Sequence, residues 1–412
     1  MGDESPGARA MCVWLGTLAS WRPGFIKQLV RRYRTTAQVL QQRPSEIAAF
    51  AMRHSGSEER PRKRGGDAAR KRAEQASDAG RFAAVLRDGP LECLRRAERR
   101  PQGDLVVAWT DALYPDQLRD LPDPPLCLFV RGGSDAATVR TRLSAIVDAP
   151  LVAVVGTRAP SPYGEDMART IAGGLARAGL VVVSGLAMGI DAIAETAAVD
   201  ALVPLDPATV AVLGCGADVV YPRRNAGLHA RVAGEGLIVS EFTWGVFARA
   251  WRFPARNRIM AALSRAVVLV EGAERSGARI TAEFGAELGR EVLCVPGEAG
   301  RRLSEAPNRL LRDGARVCES AKDVLDAIAI DDPGPGVARS AGSSSLPVLV
   351  LDHGGSAVRD VLHQLESASL TIDQLAGRCA LPVAKVAAAV SDLEVEGLAR
   401  RVDGGRYRLL RG

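Results

Sequence analysis

Between residues 151 and 295 the chain alternates between two hydrophobic rhythms. Six nearly unbroken apolar runs, at 151–155, 180–183, 209–213, 237–239, 266–270 and 291–295, are rich in Val, Leu and Ile. Such runs are what strands buried on both faces look like. Between several of them apolar residues recur at four-residue spacing, as at Met167, Ile171 and Leu175, which is a helical period. The alternation predicts an α/β, mostly parallel sheet with right-handed crossovers and helices on both faces. Ligands of open parallel sheets bind beyond the carboxyl ends of the strands. The segments that follow each run are therefore where chemistry is expected.

The flanks read differently. Trp14, Leu15 and Leu18, then Ile26, Leu29, Val30 and Tyr33, then Val39 and Leu40 mark short amphipathic helices broken by Arg22-Pro23-Gly24, a small helical module. The basic stretch 58–66 reads as a flexible surface loop whose charge adds non-specific affinity for nucleic acid. Residues 331–347 are rich in Gly, Pro and Ser and read as a linker. Beyond it, Val358, Val361, Leu362 and Leu365 mark one helix, 371–379 a second, and Pro382 opens a third that ends near Gly397. Runs 398–402 and 406–410 around Asp403-Gly404-Gly405 read as a hairpin, completing a winged-helix pattern. Its third helix carries Lys385 but also Asp392, Glu394 and Glu396, and carboxylates repel phosphates in a groove. The hairpin is basic instead (Arg400, Arg401, Arg406, Arg408), so a backbone contact by the wing and a protein-binding role both stay open. The expected domains are residues 1–105, 106–330 and 348–412, with 331–347 between the last two.

The chain has 412 residues and a net charge of +6, from 54 Lys and Arg against 48 Asp and Glu. That mild excess suits an anionic partner without proving one. Seven cysteines form no C-x-x-C pair, and Cys294 lies inside an apolar run. Buried, reduced thiols in a cytosolic protein are expected rather than disulfides or a zinc site. The amino terminus predicts no signal peptide, and no run approaches the ~18 apolar residues of a membrane span.

The strand ends share one kind of chemistry. The first is followed by Gly156-Thr157-Arg158, the second by Ser184-Gly185 and a glycine-bearing turn that ends at Gly189-Ile190-Asp191. Glycine turns into helices expose N–H groups to anions, although each is also an ordinary connecting turn. Gly214-Cys215-Gly216 begins a G-x-G, but Val219 replaces the last glycine of the dinucleotide fingerprint, and that reading is rejected. Next come Tyr221-Pro222-Arg223-Arg224-Asn225 and Phe253-Pro254-Ala255-Arg256-Asn257-Arg258. In the latter, two guanidiniums flank an amide just after a proline, the place of a helix amino terminus. It reads either as an exposed basic turn or as a phosphate grip.

No catalytic engine accompanies these groups. The four histidines (54, 229, 353, 363) lie outside the strand ends, so a Ser-His-Asp arrangement lacks its base. No metal cluster or triphosphate loop is present in the sequence. Asp191, Glu241, Glu271 and Glu283 are read as holding arginines and helix termini rather than as acid and base. The combination suits binding a polyanion better than transforming one.

In order along the chain, these segments resemble the bacterial DNA-processing protein A family (DprA, or Smf). The resemblance runs from Tyr114-Pro115 and Leu121-Pro122-Asp123-Pro124-Pro125 to Val295-Pro296-Gly297, Asn308 and Gly314-Ala315, about half the chain. It implies a Rossmann-like domain that binds single-stranded DNA as a homodimer, protects DNA entering in natural transformation and helps load the strand-exchange recombinase. It also implies no enzymatic activity, metal or cofactor. Carried over by motif, Arg158, Arg223, Arg256, Asn257 and Arg258 would meet phosphates. Gly156, Ser184, Gly185 and Gly277 would let the strand approach, Thr157, Asn225 and Thr281 would belong to the same DNA-binding set, and Phe253 or nearby backbone would flank a base. The chain departs from the family pattern at Glu195 (usually His), Thr243 (near a usual Pro), Arg279 and Ala306 (usually Gly), and it carries Arg223 for a frequent Lys. A rival reading is a nucleoside monophosphate phosphoribohydrolase, faintly echoed by Ser276-Gly277, Thr281 and Glu283 without that class's double glycine.

Overall fold

The structure, a computed structural model, describes residues 6–53, 66–99, 103–201, 206–330, 361, 364–365, 370–379, 381–395, 399–402 and 406–409. The basic stretch up to residue 65, the linker 331–347, Val358, Leu362 and the hairpin turn 403–405 lie outside the described residues. The chain forms two compact units, Met1–Pro333 and Gly334–Gly412.

All six apolar runs are strands, displaced by at most one residue: β3 Leu151–Val155, β4 Val181–Ser184, β5 Thr209–Val212, β6 Leu237–Ser240, β7 Ala266–Leu269 and β8 Glu291–Cys294. They pair in parallel in the order β6-β5-β4-β3-β7-β8. Two further strands, β1 Leu105–Ala108 and β2 Cys127–Arg131, extend the β6 edge in antiparallel fashion, and β9 Arg316–Val317 extends the other. The sheet is thus mixed but mostly parallel. Alternation along β3 shows how it is covered. Leu151, Ala153 and Val155 face α6 (Ala136–Asp148), α10 (Arg252–Leu263), α11 (Gly277–Glu287) and α12 (Glu305–Arg312). Val152 and Val154 face α7 (Pro162–Arg177), α8 (Ile190–Val199) and α13 (Ala321–Ile330). The two-residue period of a strand therefore builds two apolar layers from one continuous run.

Strand order reverses beside β3, whose neighbours are β4 and β7. At such a switch point the connections leave in opposite directions and open a crevice at the carboxyl edge. Here the opening is pinned by the Thr157 amide, which donates to the Glu271 carbonyl at 2.8 Å. The crossover from β6 to β7 passes over this edge, and α10 hangs from it.

Among the described residues, the amino-terminal helices α1 Pro6–Ala19, α2 Phe25–Tyr33, α3 Thr36–Leu40, α4 Pro44–Arg53 and α5 Gly66–Glu98, the last kinked at Gly89-Pro90, pack around Trp14, Phe25, Leu29 and Ile47. They anchor that crossover. The Thr243 amide donates to Ser20 Oγ at 3.0 Å, Trp244 Nε1 donates to the Ala97 carbonyl at 3.0 Å, and Arg249 pairs with Glu74 and Asp78. Arg252 donates to the Ser20 carbonyl at 2.7 Å and lies between the Trp21, Phe242 and Trp251 rings. Burial lowers its pKa to about 10. No helix among the described residues is long and apolar enough to cross a membrane.

In the second unit, helices Ile372–Cys379 and Val383–Val395 precede a hairpin of Ala399–Val402 and Arg406–Leu409. Leu370–Thr371 adds a third strand against Arg406–Leu409. Leu375, Val386, Val390, Leu393 and Tyr407 form its core.

Candidate nucleic-acid interface

A cleft of 1030 Å³ opens at the carboxyl edge of β3, between α10 and the start of α11. Its lining includes Gly156, Thr157, Arg158, Tyr221, Phe253, Arg256, Asn257, Gly277 and Thr281. On its rim the exposed Arg158 guanidinium lies 5.2 Å from the Phe253 ring centroid. That ring lies 5.6 Å from Tyr221, tilted by 37°. Tyr221 is 43% exposed. Cation, ring and ring thus form a short half-open platform. Across the cleft α11 begins at Gly277, with Ser276 Oγ accepting from the Arg279 amide as its amino-terminal cap. Asn257 Nδ2 donates to the Gly277 carbonyl at 3.0 Å and so couples α10 to that terminus. The free N–H groups and dipole of the helix start favour an anion there.

Beneath the platform the charges are built into the fold. Arg256 is buried, donates to the Val212 carbonyl, and leaves its Nε without a partner. Gly185 has no side chain where the Arg256 guanidinium lies, and a Cβ there would collide with it. The buried Asp191 carboxyl accepts from the amides of Ala187 and Gly156. Burial lowers the Arg256 pKa, against the pull of Asp191 and Glu195. Arg258 faces away from this cleft and lines another one, with Asp123 and Glu241. Its Nη2 lies 2.7 Å from one Glu241 oxygen and its Nη1 3.1 Å from the other, and Nη2 also donates to the Asp123 carbonyl. Burial opposes its charge, but Glu241 and Asp123 outweigh that and hold the guanidinium charged.

Several residues singled out from the sequence therefore occupy other places than anticipated. Arg258 is spent on Glu241, so the expected two-guanidinium grip reduces to Arg256 at the cleft floor. Ser184 is buried and donates to the Val154 carbonyl at 2.7 Å, which ties β4 to β3 rather than offering a hydroxyl. Gly185 makes room for Arg256, and Gly156 makes room for Ile190 of α8. Asn225 Nδ2 donates to the carbonyls of Leu186 and Ala187 and so fixes the turn after β4. Arg223 is exposed on the turn Arg223–Asn225, outside the cleft lining. The added cation at Arg279 is offset by Glu274 and Glu283.

Three lining residues escaped the sequence reading. Tyr221 stood next to the basic pair that drew notice, and its role depends on Phe253 folding back against it. Arg275 and Arg302 are exposed, line the cleft and make no ion pair among the described residues. Arg275 directly precedes Ser276-Gly277, a signal that was available. Nothing local marks Arg302, which the turn before α12 delivers.

Residues 105–329 match the family model described as DNA recombination-mediator protein A. The chain belongs to that family. Residues 354–405 match the DprA winged helix domain, where the second unit lies. A putative DNA processing protein DprA of Mycobacterium tuberculosis is 38% identical over 288 residues, covering 70% of this chain and 69% of the relative. Protein Smf of Escherichia coli is 35% identical over 313 residues, covering 76% and 79%. The crystal structure of DNA processing protein A from Streptococcus pneumoniae superposes with a TM-score of 0.57 at 28% identity, covering 79% of this chain and 98% of that one.

Within this recombination-mediator scaffold, Glu195 props the turn between β4 and α8. It is fully buried, and its two oxygens accept from the Leu186 amide at 3.3 and 3.2 Å. Leu186 has φ +51°, a left-handed conformation costly for a side chain with a Cβ. Burial, reinforced by Asp191, pushes the Glu195 carboxyl well above the carboxylate range. Its contribution to stability is then full below the unfolded-state pKa of about 4.3 and declines as pH rises toward the raised folded value. Glu195→Gln keeps an acceptor for Leu186 and removes the titration. Its melting temperature should exceed that of the wild type by a margin that grows from pH 5 to pH 8, read by thermal melts at both.

Proposed function

We propose that this protein binds single-stranded DNA in the β3 edge cleft, gripping the backbone with Arg158, Arg275, Arg302 and Arg256 and stacking a base on Phe253 and Tyr221. The observation that carries the reading is the Arg158–Phe253–Tyr221 platform. Ring faces are of use to an unpaired base, whereas in a duplex the faces are already stacked. Aromatic stacking tolerates any base, and a cationic groove tracks phosphates without reading sequence. The reading makes this a binding protein, not an enzyme. In its support, Glu271 is engaged by the Ser161 amide and hydroxyl, Glu283 by Arg279, and Glu241 by Arg258. These carboxylates, with Glu283 of the phosphoribohydrolase echo among them, thus serve as props.

In this role the protein acts in the cytosol as a homodimer, covers incoming DNA during natural transformation and delivers it to the strand-exchange recombinase. Six of its seven free thiols are buried, which suits a reducing compartment. The experiment is titration of labelled oligo-dT and of a matched duplex, with release of free base from nucleoside monophosphates followed in parallel. Tight, salt-sensitive binding of oligo-dT over duplex supports the reading. Base release without strand binding sinks it in favour of the phosphoribohydrolase. Phe253→Ala should weaken oligo-dT binding by about 1–3 kcal/mol, the worth of one stacked base, as read by fluorescence anisotropy.

A further inference from the structure

A second groove, of 780 Å³, runs between the outer faces of α7 and α8. It shares Arg158 and Ala159 with the lining of the cleft described above, so the two openings adjoin there. Arg177, at the end of α7, and Arg224, beside Asn225, also line it. Both are exposed, and their side chains make neither ion pair nor hydrogen bond among the described residues. Other charges in the groove are largely spent: Arg169 pairs with Asp166 at 3.0 Å, and Asp200 pairs with Arg231 at 2.6 Å. Glu165 is the remaining carboxylate of the lining, set against Arg158, Arg177 and Arg224. Between the arginines the floor is apolar, formed by Met188 (37% exposed), Ala192 and Ile193.

We infer that this groove is a second subsite for the same DNA strand, which leaves the first cleft past Arg158 and continues along α7 and α8. The inference rests on the single-stranded-DNA reading of the first cleft. Spaced cations over an apolar floor match a single strand, whose phosphates need charge and whose unstacked bases need apolar cover. Because the two cavities adjoin at Arg158 and Ala159, an extension of one ligand fits them better than a separate partner does. Both free arginines project from well-packed helices or turns at exposed positions, where truncation costs the fold little.

The test compares oligo-dT of about 6 nucleotides, short enough for one cleft, with one of about 20, in a salt series. Wild type, Arg177→Ala/Arg224→Ala and Arg158→Ala are titrated. For the longer strand the double variant should bind more weakly and with a log K against log salt slope shallower by about 1.4, two contacts at 0.7 each. For the short strand it should match the wild type, while Arg158→Ala weakens both lengths. Equal loss at both lengths, or no loss at either, overturns the subsite while leaving the first cleft standing. Failure of the wild type to bind either length overturns the parent reading, and the subsite with it.

Discussion

Arg258→Ala is expected to cost the fold up to about 3–5 kcal/mol, because it strands Glu241 as an unpaired, largely buried carboxylate. In the wild type that carboxylate receives both Nη atoms of Arg258, which also reaches the Asp123 carbonyl. Asp123 belongs to the segment leading into β2 and Glu241 follows β6, so one guanidinium clamps α10 to two strands of the sheet edge. A fall in Tm on the order of 10 °C should follow. Replacing Arg258 and Glu241 together by apolar residues of similar size should recover much of it, since a buried pair removed whole is often neutral. Melts of the single and double variants by circular dichroism decide the matter. A single variant that melts like the wild type would return Arg258 to the ligand-facing role its motif suggested.

Arg158→Ala is expected to do the opposite, leaving the melt unchanged and removing a large part of the DNA affinity. The side chain is exposed, makes no ion pair among the described residues, and touches the fold through the Phe253 ring. A charge-assisted hydrogen bond to phosphate is worth about 1.5–3 kcal/mol, so oligo-dT binding should weaken roughly ten- to hundredfold. Arg158→Lys should recover part of the loss, because a lysine keeps the charge but not the planar fork that both stacks and chelates. Anisotropy titrations alongside melts separate the two variants cleanly: one loses stability, the other its ligand.

The contrast between these two arginines marks where sequence reading stops. The six strands were legible because each run is apolar on both faces, and the sheet edge that carries the site followed from their parallel order. Strand β1, Leu105–Ala108, was missed because it lies ahead of the alternating strands and helices that made the others legible. Both arginines were legible as cations near a strand or helix end. Whether a cation faces solvent or a carboxylate is a property of tertiary packing, and Glu241 lies 17 residues before Arg258 with nothing local to join them. Arg256 and Gly185 show the same limit. A glycine at a strand end reads as space for a ligand, but here the space is filled by the protein's own guanidinium. The Tyr221–Phe253 contact joins two loops that follow different strands, which no spacing rule reaches.

The same division explains why the amino-terminal helices matter to the site without touching it. Ser20, Glu74, Asp78 and Ala97 fasten residues 243–252, and that crossover sets the angle at which α10 presents Phe253 and Arg256. Loosening this fastening should blur the cleft before it unfolds the sheet.

The slope of log K against log salt for oligo-dT, compared between wild type and Arg158→Ala, tests the central claim most directly. Each phosphate contact on a single strand contributes about 0.7 to that slope. Loss of the Arg158 grip should therefore make the line shallower by about 0.7 together with the drop in affinity. Two parallel lines of equal affinity would contradict the account, because the cleft beside Phe253 would then hold no phosphate.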